Sequence, residues 1–126
     1  GNSAMALLLL RLSRMTDRED FHAAAERTLQ AFTSRMEEGG TGLPQMLAAL
    51  SFALAKPREI VLAGPLSADL LAPLRRRFMP NAVVMRAEQL TRPMPSVDEK
   101  PTAYICENFS CKLPVTTPEA VAELLE

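Results

Sequence analysis

Cysteine, histidine and aromatic residues are scarce in this sequence, and neither sign of charge dominates it. The chain of 126 residues contains two cysteines, one histidine, one tyrosine and no tryptophan. Two cysteines are fewer than small disulfide-stapled secreted domains usually carry, so we expect a reducing, cytoplasmic location. The net charge of −1 creates no basic field. We therefore expect neither nucleic acid nor a membrane surface as a partner.

The motifs that bind nucleotide phosphates are also missing. The segment 61–70, VLAGPLSADL, has a strand end, a glycine and a helix start in the order of a phosphate-binding turn. It contains neither the G-x-G-x-x-G series nor a P-loop lysine, and Pro65 removes one backbone donor. We interpret this segment as an ordinary connection in a sheet and expect no cofactor.

The longest apolar run lies near the start of the chain, at Ala4 to Leu10. It follows Gly-Asn-Ser rather than basic residues and leads into arginines rather than a small-residue cleavage site, which indicates a buried helix and not an export signal. A run of this length is too short to span a bilayer. A helix that is apolar all round is normally covered on all sides. Either this is the central helix of the domain, or the chain is a segment of a larger fold or an oligomer.

Helix signals dominate residues 1–56. Asn2 or Ser3 is predicted to cap a first helix, and Asp17 a second. Glycines interrupt the pattern before Pro44, which suits the first turn of a third helix. Apolar residues at spacings of three and four predict that the second helix is continuous and has a single apolar stripe. The residues of this stripe are Phe21, Ala25, Leu29, Phe32 and Met36.

From residue 57 onwards, short strand-like runs replace the helical repeats. EIVLAG at 59–64 predicts a strand buried on both faces, and NAVVMRAE at 81–88 predicts a second strand. A strand, a helix and a strand of these lengths predict parallel pairing. Ser67 is predicted to cap the intervening helix, whose apolar residues are Leu70, Leu71, Leu74 and Phe78.

The last part of the chain predicts a third strand and a closing helix. TAYIC at 102–106 has strand character, and Pro118 suits a helix start. The expected fold is therefore mixed α/β. A helical hairpin and a third helix occupy residues 1–56, and a small three-stranded parallel, Rossmann-like βαβ unit with a C-terminal helix occupies residues 57–126.

Cys106 and Cys111 form the sharpest candidate site. Asn108 lies between them and turns easily, so the chain could fold back and bring the two sulfurs within bonding range. Their spacing is not the C-x-x-C of thioredoxin-like motifs, and Lys112 is the only adjacent cation that could favour a thiolate. Structural burial is the preferred interpretation, with a reversible disulfide and a metal site as alternatives.

His22 is the only imidazole of the chain. Zinc needs four ligands, and two cysteines with one distant histidine do not supply them, so no metal site is expected. As a general base, His22 has no serine or cysteine nucleophile paired with it in the sequence. We interpret it as a partly exposed side chain on the second helix.

Five stretches resemble a known family in their order and spacing: GNSAMALLLLRL, LPQMLAAL, PREIVLAG, RRRFMPNAVVM and KPTAYICENFSCKLPVTTPEAVAELL. They are similar to the C-terminal part of the YyaL-type thioredoxin-domain-containing proteins, the group that includes the spermatogenesis-associated member of animals. Members of this family resemble a thioredoxin-like domain followed by an (α/α)6 toroid of the kind found in six-hairpin glycosidases. The resemblance implies that residues 1–56 complete such a toroid, that residues 57–126 are an appended α/β domain, and that the thioredoxin-like domain is absent here.

The resemblance transfers few residues to this chain. Asn2 and Ser3 match the entry to a toroid helix, near the pocket of related toroids, and are candidate ligand-binding residues. The match to the C-terminal signature consists of Tyr104, Cys106, Asn108, Cys111 and Pro114.

The resemblance implies a C-terminal structural or interaction module of a larger protein. Its other domains, or a second copy of the chain, would cover the first helix. The alternative is a part of a carbohydrate-active or redox enzyme that uses a pocket near Asn2 and Ser3 or the two thiols of Cys106 and Cys111. Whether the protein is an enzyme is left open.

Overall fold

The computed structural model describes residues 1–126 and divides them into two compact units, Gly1–Lys56 and Pro57–Glu126. The first unit is helical, and the second contains a four-stranded sheet with two helices. The mixed α/β class predicted from the sequence is thereby confirmed.

The helical unit contains four helices, of which α1 packs against both α2 and α4. Their bounds are α1 Asn2–Thr16, α2 Glu19–Ala31, α3 Thr33–Gly39 and α4 Pro44–Leu54. The helix start predicted at Pro44 is confirmed. The buried apolar side chains of the unit lie on α1, α2 and α4, and they are Ala6, Leu10, Ala25, Leu29, Met46, Ala49 and Phe52.

The predicted caps of α1 and α2 were wrong. Gly1 holds the capping position of α1, so Asn2 and Ser3 fall inside its first turn, and no side chain caps the helix. Asp17 ends α1 in a left-handed conformation with φ of 54°, and Arg18 precedes α2 instead. A shift of one residue in a helix start is enough to move a side chain out of capping geometry.

The second helix is not continuous to Met36, as its apolar stripe had predicted. It ends at Ala31, and α3 begins at Thr33 after Phe32 departs from helical geometry with φ of −104° and ψ of 2°. The Thr33 hydroxyl donates to the Leu29 carbonyl at 3.3 Å. A bond from a threonine to the carbonyl four residues earlier often accompanies a bend in a helix. Hydrophobic periodicity alone does not show such a break.

The second unit contains a sheet with the strand order β2-β1-β3-β4. Its elements are β1 Arg58–Ala63, α5 Ala68–Arg75, β2 Val83–Arg86, β3 Thr102–Glu107, β4 Ser110–Cys111 and α6 Pro118–Leu124. The predicted βαβ unit is present, because β1 and β2 pair in parallel on either side of α5.

The third strand departs from the predicted parallel sheet. It pairs antiparallel with β1, in a register that places Ala63 opposite Thr102, and a fourth strand follows it. A parallel third strand needs a crossover connection that returns the chain to the end of the sheet where β1 and β2 begin. Residues 87–101 contain only a short 3-10 turn, so the chain stays at the end where β1 and β2 finish and returns antiparallel to them as β3. Strand direction is therefore set by the absence of a crossover helix.

One face of the sheet packs against α5 and α6. Ser67 caps α5 by accepting from the Leu70 N–H at 3.4 Å, as predicted. Phe78 does not belong to this helix, which ends at Arg75, and its side chain is 92% exposed. The core cluster on this face contains Ile60, Leu62, Leu70, Ala103, Ile105, Val121 and Leu125.

Candidate functional site

A tight hairpin brings the two cysteines together. Strands β3 and β4 are joined by Asn108 and Phe109, whose φ values are 49° and 63°. Positive φ at both central residues is the signature of a two-residue type I′ turn, whose twist suits antiparallel strands. Asparagine enters this conformation more easily than most residues, which explains why Asn108 is the pivot.

Register places Cys106 directly opposite Cys111. The next pair along the ladder is hydrogen-bonded, since the Lys112 N–H donates to the Ile105 carbonyl at 3.0 Å. Because antiparallel pairs alternate, the cysteine pair occupies a non-hydrogen-bonded position, where backbones approach most closely. Their Cα atoms are 3.9 Å apart, and a disulfide joins the sulfurs. The hairpin is therefore closed covalently one step from its turn.

The two halves of this disulfide differ in exposure. Cys106 is completely buried, whereas Cys111 lies on the exposed edge strand β4. Solvent therefore contacts the residue at the Cys111 end of the cross-link and not the residue at the Cys106 end. The disulfide therefore has a defined outer and inner sulfur.

An ion pair between buried Glu59 and partly exposed Arg92 lies on the same face of the sheet as the inner cysteine. Glu59 on β1 is directly opposite Cys106 on β3, and residues opposite each other in a sheet project to one face. Glu59 is 1% exposed, and its Oε2 atom is 3.3 Å from Nη2 of Arg92. A buried carboxylate is strongly destabilising unless it is paired, so Arg92 secures Glu59. The sequence did not lead us to either residue. The one available signal was that Glu59, an acidic residue, begins a strand predicted to be buried.

The segment that carries Arg92 is held against β3 by hydrogen bonds. The Tyr104 hydroxyl donates to the Pro95 carbonyl at 2.5 Å, and the Val97 N–H donates to the Thr102 hydroxyl at 2.9 Å. Close approach requires glycine at position 64, where a Cβ atom would lie 2.9 Å from the Lys100 carbonyl oxygen. Tyr104 thus belongs to the frame that positions Arg92.

Pro114 leads the chain out of the hairpin. The next residue, Val115, forms a bridge with Ala103 through hydrogen bonds of 2.8 and 3.0 Å. The matched signature residues therefore build one local structure: a strand, its turn, its disulfide and its exit.

Asn2 and Ser3 belong to the helical unit, where they line a cleft of about 340 Å³. Amide, hydroxyl, apolar and backbone groups line it, which suits hydrogen bonding and apolar contact rather than proton transfer. The lining residues are Asn2, Ser3, Phe32, Gly42, Leu43, Pro44, Gln45 and Met46. The structure thus brings the two predicted residues to one concave surface, away from the cysteine hairpin in the chain.

The other residues considered from sequence have local structural partners. Nε2 of His22 is 3.2 Å from Oε1 of Glu26 one helical turn away, and both side chains are substantially exposed. The carbonyl of Gly64, in the glycine turn, accepts from Arg86 at 2.9 Å. No group of three or more histidine, cysteine or acidic side chains is arranged to hold a metal ion. None of the helices combines the length and apolarity needed to cross a membrane.

These features describe an α/β protein with a helical first unit and a disulfide-closed hairpin in the second. No family model and no solved structure matches the chain. Curated relatives do match it. Spermatogenesis-associated protein 20 of Homo sapiens is 32% identical over 140 residues, and that of Rattus norvegicus is 33% identical over the same length, in both cases covering 99% of this chain. An uncharacterised protein of Caenorhabditis elegans is 28% identical over 92% of the chain.

The chain is therefore a relative of spermatogenesis-associated protein 20, and the family resemblance inferred from its residues is confirmed. It spans only 18% of the length of these relatives. The match accordingly corresponds to one part of a much larger protein.

Proposed function

We propose that this chain is a C-terminal structural and interaction module of a larger protein. The observation that carries the proposal is the alignment: 99% of the chain matches relatives of which it represents 18%. The thioredoxin-like domain and the toroid implied by the resemblance are part of this proposal. Its partners would be the remaining domains of the parent protein or a second copy of the chain.

The surface proposed for this interaction lies on α1. Ala6 and Leu10 are buried, but Met5 and Leu8 are 52% and 48% exposed. Residues three apart lie on the same side of a helix, so Met5 and Leu8 form one apolar ridge, which we call the α1 ridge. Apolar groups that remain half in water at adjacent positions favour burial against a partner.

Self-association of the chain tests this role. Size-exclusion chromatography with light scattering should show concentration-dependent association, and the variant Met5→Lys/Leu8→Lys should be monomeric. The control Gln30→Lys/Ser34→Lys adds the same two charges at exposed polar positions and should associate like the original chain. A monomer at every concentration that binds no hydrophobic dye would remove the support for an interaction surface on α1.

Ligand binding in the cleft at Asn2 and Ser3 is a second candidate, favoured by its concave shape. Its amides and hydroxyl could bind the hydroxyl groups of a sugar, with Phe32 available for an apolar contact. Titration with mono- and oligosaccharides, followed by amide chemical shifts, should perturb the cleft residues. The variant Asn2→Ala/Ser3→Ala should lose this response, and Ser34→Ala, outside the cleft, should retain it. Shifts that are absent or scattered over the whole chain would refute the candidate.

Thiol–disulfide exchange at Cys106 and Cys111 is a third candidate, favoured by the disulfide and by the exposure of residue Cys111. In the larger protein, the oxidised hairpin would accept electrons from a thiol donor. Equilibration in glutathione redox buffers, followed by alkylation and mass measurement, should show two thiols appearing together while the chain stays folded. A disulfide that resists reduction until the chain unfolds would identify it as purely structural.

A further inference from the structure

The two sulfurs of the Cys106–Cys111 disulfide differ in their surroundings. We infer that thiols attack the sulfur of Cys111 and that Cys106 leaves as a thiolate stabilised by Arg92, which Glu59 holds in place. This inference deepens the thiol–disulfide exchange candidate and rests on it. The substrate class is a thiol reductant, and Arg92 and Glu59 are positioning residues for the exchange.

The direction of attack follows from exposure. The nucleophilic thiolate must approach one sulfur along the axis of the S–S bond, and the other sulfur leaves. Cys111 is exposed on the edge strand, and Cys106 is completely buried between β1 and β4. The accessible sulfur is therefore that of Cys111, and the buried sulfur of Cys106 is the leaving group.

The surroundings of Cys106 provide a cation for that leaving group. Opposed residues on antiparallel strands have Cβ atoms about 4.5–5.5 Å apart, so the side chain of Glu59 lies beside that of Cys106. Arg92 reaches this carboxylate at 3.3 Å. Its Nε atom is buried and has no hydrogen-bond acceptor. A cation that approaches a developing thiolate lowers the thiol pKa and makes the thiolate a better leaving group, and the open Nε donor of Arg92 is the group we assign to this role.

A second ion pair on the same strands provides a natural comparison. Nε of Arg58 lies 2.6 Å from Oε1 of Glu107. These residues immediately precede Glu59 and follow Cys106, so their side chains project to the opposite face of the sheet. The two ion pairs thus use neighbouring positions, but only one of them lies on the face of the disulfide.

Two thiol molecules supply the two electrons that reduce the disulfide. A thiolate RS⁻ attacks Sγ of Cys111 and forms an R–S–Sγ bond. The Sγ–Sγ bond breaks, and its electron pair leaves on Cys106, which takes a proton from solvent. A second RS⁻ attacks the sulfur of the R group, releases Cys111 as a thiolate that is then protonated, and forms R–S–S–R. The disulfide of the protein is reduced to two thiols, and two thiols are oxidised to one disulfide.

Trapping the intermediate tests the direction without any variant. The oxidised chain is mixed with limiting reduced glutathione, quenched in acid, alkylated and mapped by peptide mass spectrometry. The expected intermediate carries glutathione on Cys111 and the alkyl group on Cys106. Glutathione found on Cys106 instead would overturn this inference while leaving thiol exchange intact. Failure of folded protein to react at all would overturn both.

Variants test the role of the cation. The double variant Glu59→Gln/Arg92→Met removes both charges of the pair, and its rate of reduction by dithiothreitol should fall on the order of fivefold. The disulfide of the variant Arg92→Lys, which keeps the cation, should be reduced at close to the original rate. The control Arg58→Met removes the cation of the opposite face and should leave the rate unchanged.

A slower rate of reduction indicates electrostatic stabilisation of the thiolate, whereas a faster rate indicates a purely structural role of the ion pair. A merely structural pair would loosen the sheet when removed, expose Cys106 and accelerate reduction. An unchanged or faster rate in the double variant, measured on protein whose circular dichroism is native, would therefore overturn the role of Arg92. If the double variant does not fold, the glutathione map and the rate of Arg92→Lys decide, because loss of rate in that cationic variant contradicts electrostatic stabilisation.

Discussion

Breaking the Cys106–Cys111 cross-link should cost less stability than breaking a cross-link that closes a long loop. The cysteines are only five positions apart in sequence. The chain-entropy relation gives about 2 kcal/mol for a loop this short, against about 4.7 kcal/mol for a loop of 100 residues. Cys111→Ser makes the change at the exposed end and leaves buried Cys106 in place as a small apolar side chain, so no core cavity is created. The expected loss in free energy of unfolding is therefore about 2 kcal/mol.

Tyrosine fluorescence measures this loss of stability in the second unit, Pro57–Glu126. Tyr104 is the only tyrosine, the chain has no tryptophan, and β3 is the strand that carries Cys106. Urea unfolding followed at Tyr104 gives the free energy by linear extrapolation. Wild-type protein reduced with excess dithiothreitol should match Cys111→Ser, and Ser110→Ala, which keeps the disulfide, should stay near the oxidised wild type. A loss above about 4 kcal/mol, or failure of reduced protein to fold, would refute the short-loop reasoning.

Three further predictions concern the frame around the site. Gly64→Ala should destabilise the chain by about 2 kcal/mol or more, because φ there is 75° and the added Cβ would meet the Lys100 carbonyl at 2.9 Å; urea unfolding measures it, and a neutral result would contradict the close approach. Ile60→Ala should cost about 2–5 kcal/mol in the same assay, since the side chain is fully buried, and a loss below 1 kcal/mol would be inconsistent with that burial. Arg18→Gln should raise the pKa of Asp20 toward its ordinary value in an NMR titration, because a hydrogen bond from Arg18 holds that pKa down. The lowered pKa adds stability above the unfolded-state value, and this contribution disappears as the pH falls through the folded-state pKa, so a stability loss of equal size at neutral pH and well below the folded-state pKa would contradict it.

Local signals predicted much of the fold. Pro44, Ser67 and Pro118 each mark the start of a helix, because a proline in the first turn or a hydroxyl cap acts on neighbouring backbone groups. The same kind of signal failed at Asn2 and Asp17, where the helices begin or end one residue away from the predicted position. Capping depends on the register of a single residue, which periodicity does not define.

Strand direction was not predictable from the runs themselves. The third strand reads the same whether it pairs parallel or antiparallel, and its direction follows from the 15-residue connection at 87–101, which contains no crossover helix. The connection is proline-rich and lacks helical periodicity, and this was the available signal for an antiparallel third strand. The prediction instead continued the parallel pairing of the preceding βαβ unit.

The candidate site was half predictable. Asn108 indicated that the cysteines could approach, since turn formation is local. The pairing of Glu59 with Arg92 joins positions 33 apart, and it lies beside Cys106 because β3 pairs with β1. The environment of the disulfide is therefore a property of sheet order, which sequence spacing does not contain.

Hydrogen–deuterium exchange tests the central claim most directly, namely that this chain is one module of a larger protein and that another part of that protein covers α1. The comparison is between the whole human relative and its excised segment that aligns with this chain. We expect amides aligned with residues 2–16 to exchange markedly more slowly in the whole protein. Equal exchange in both forms would contradict it.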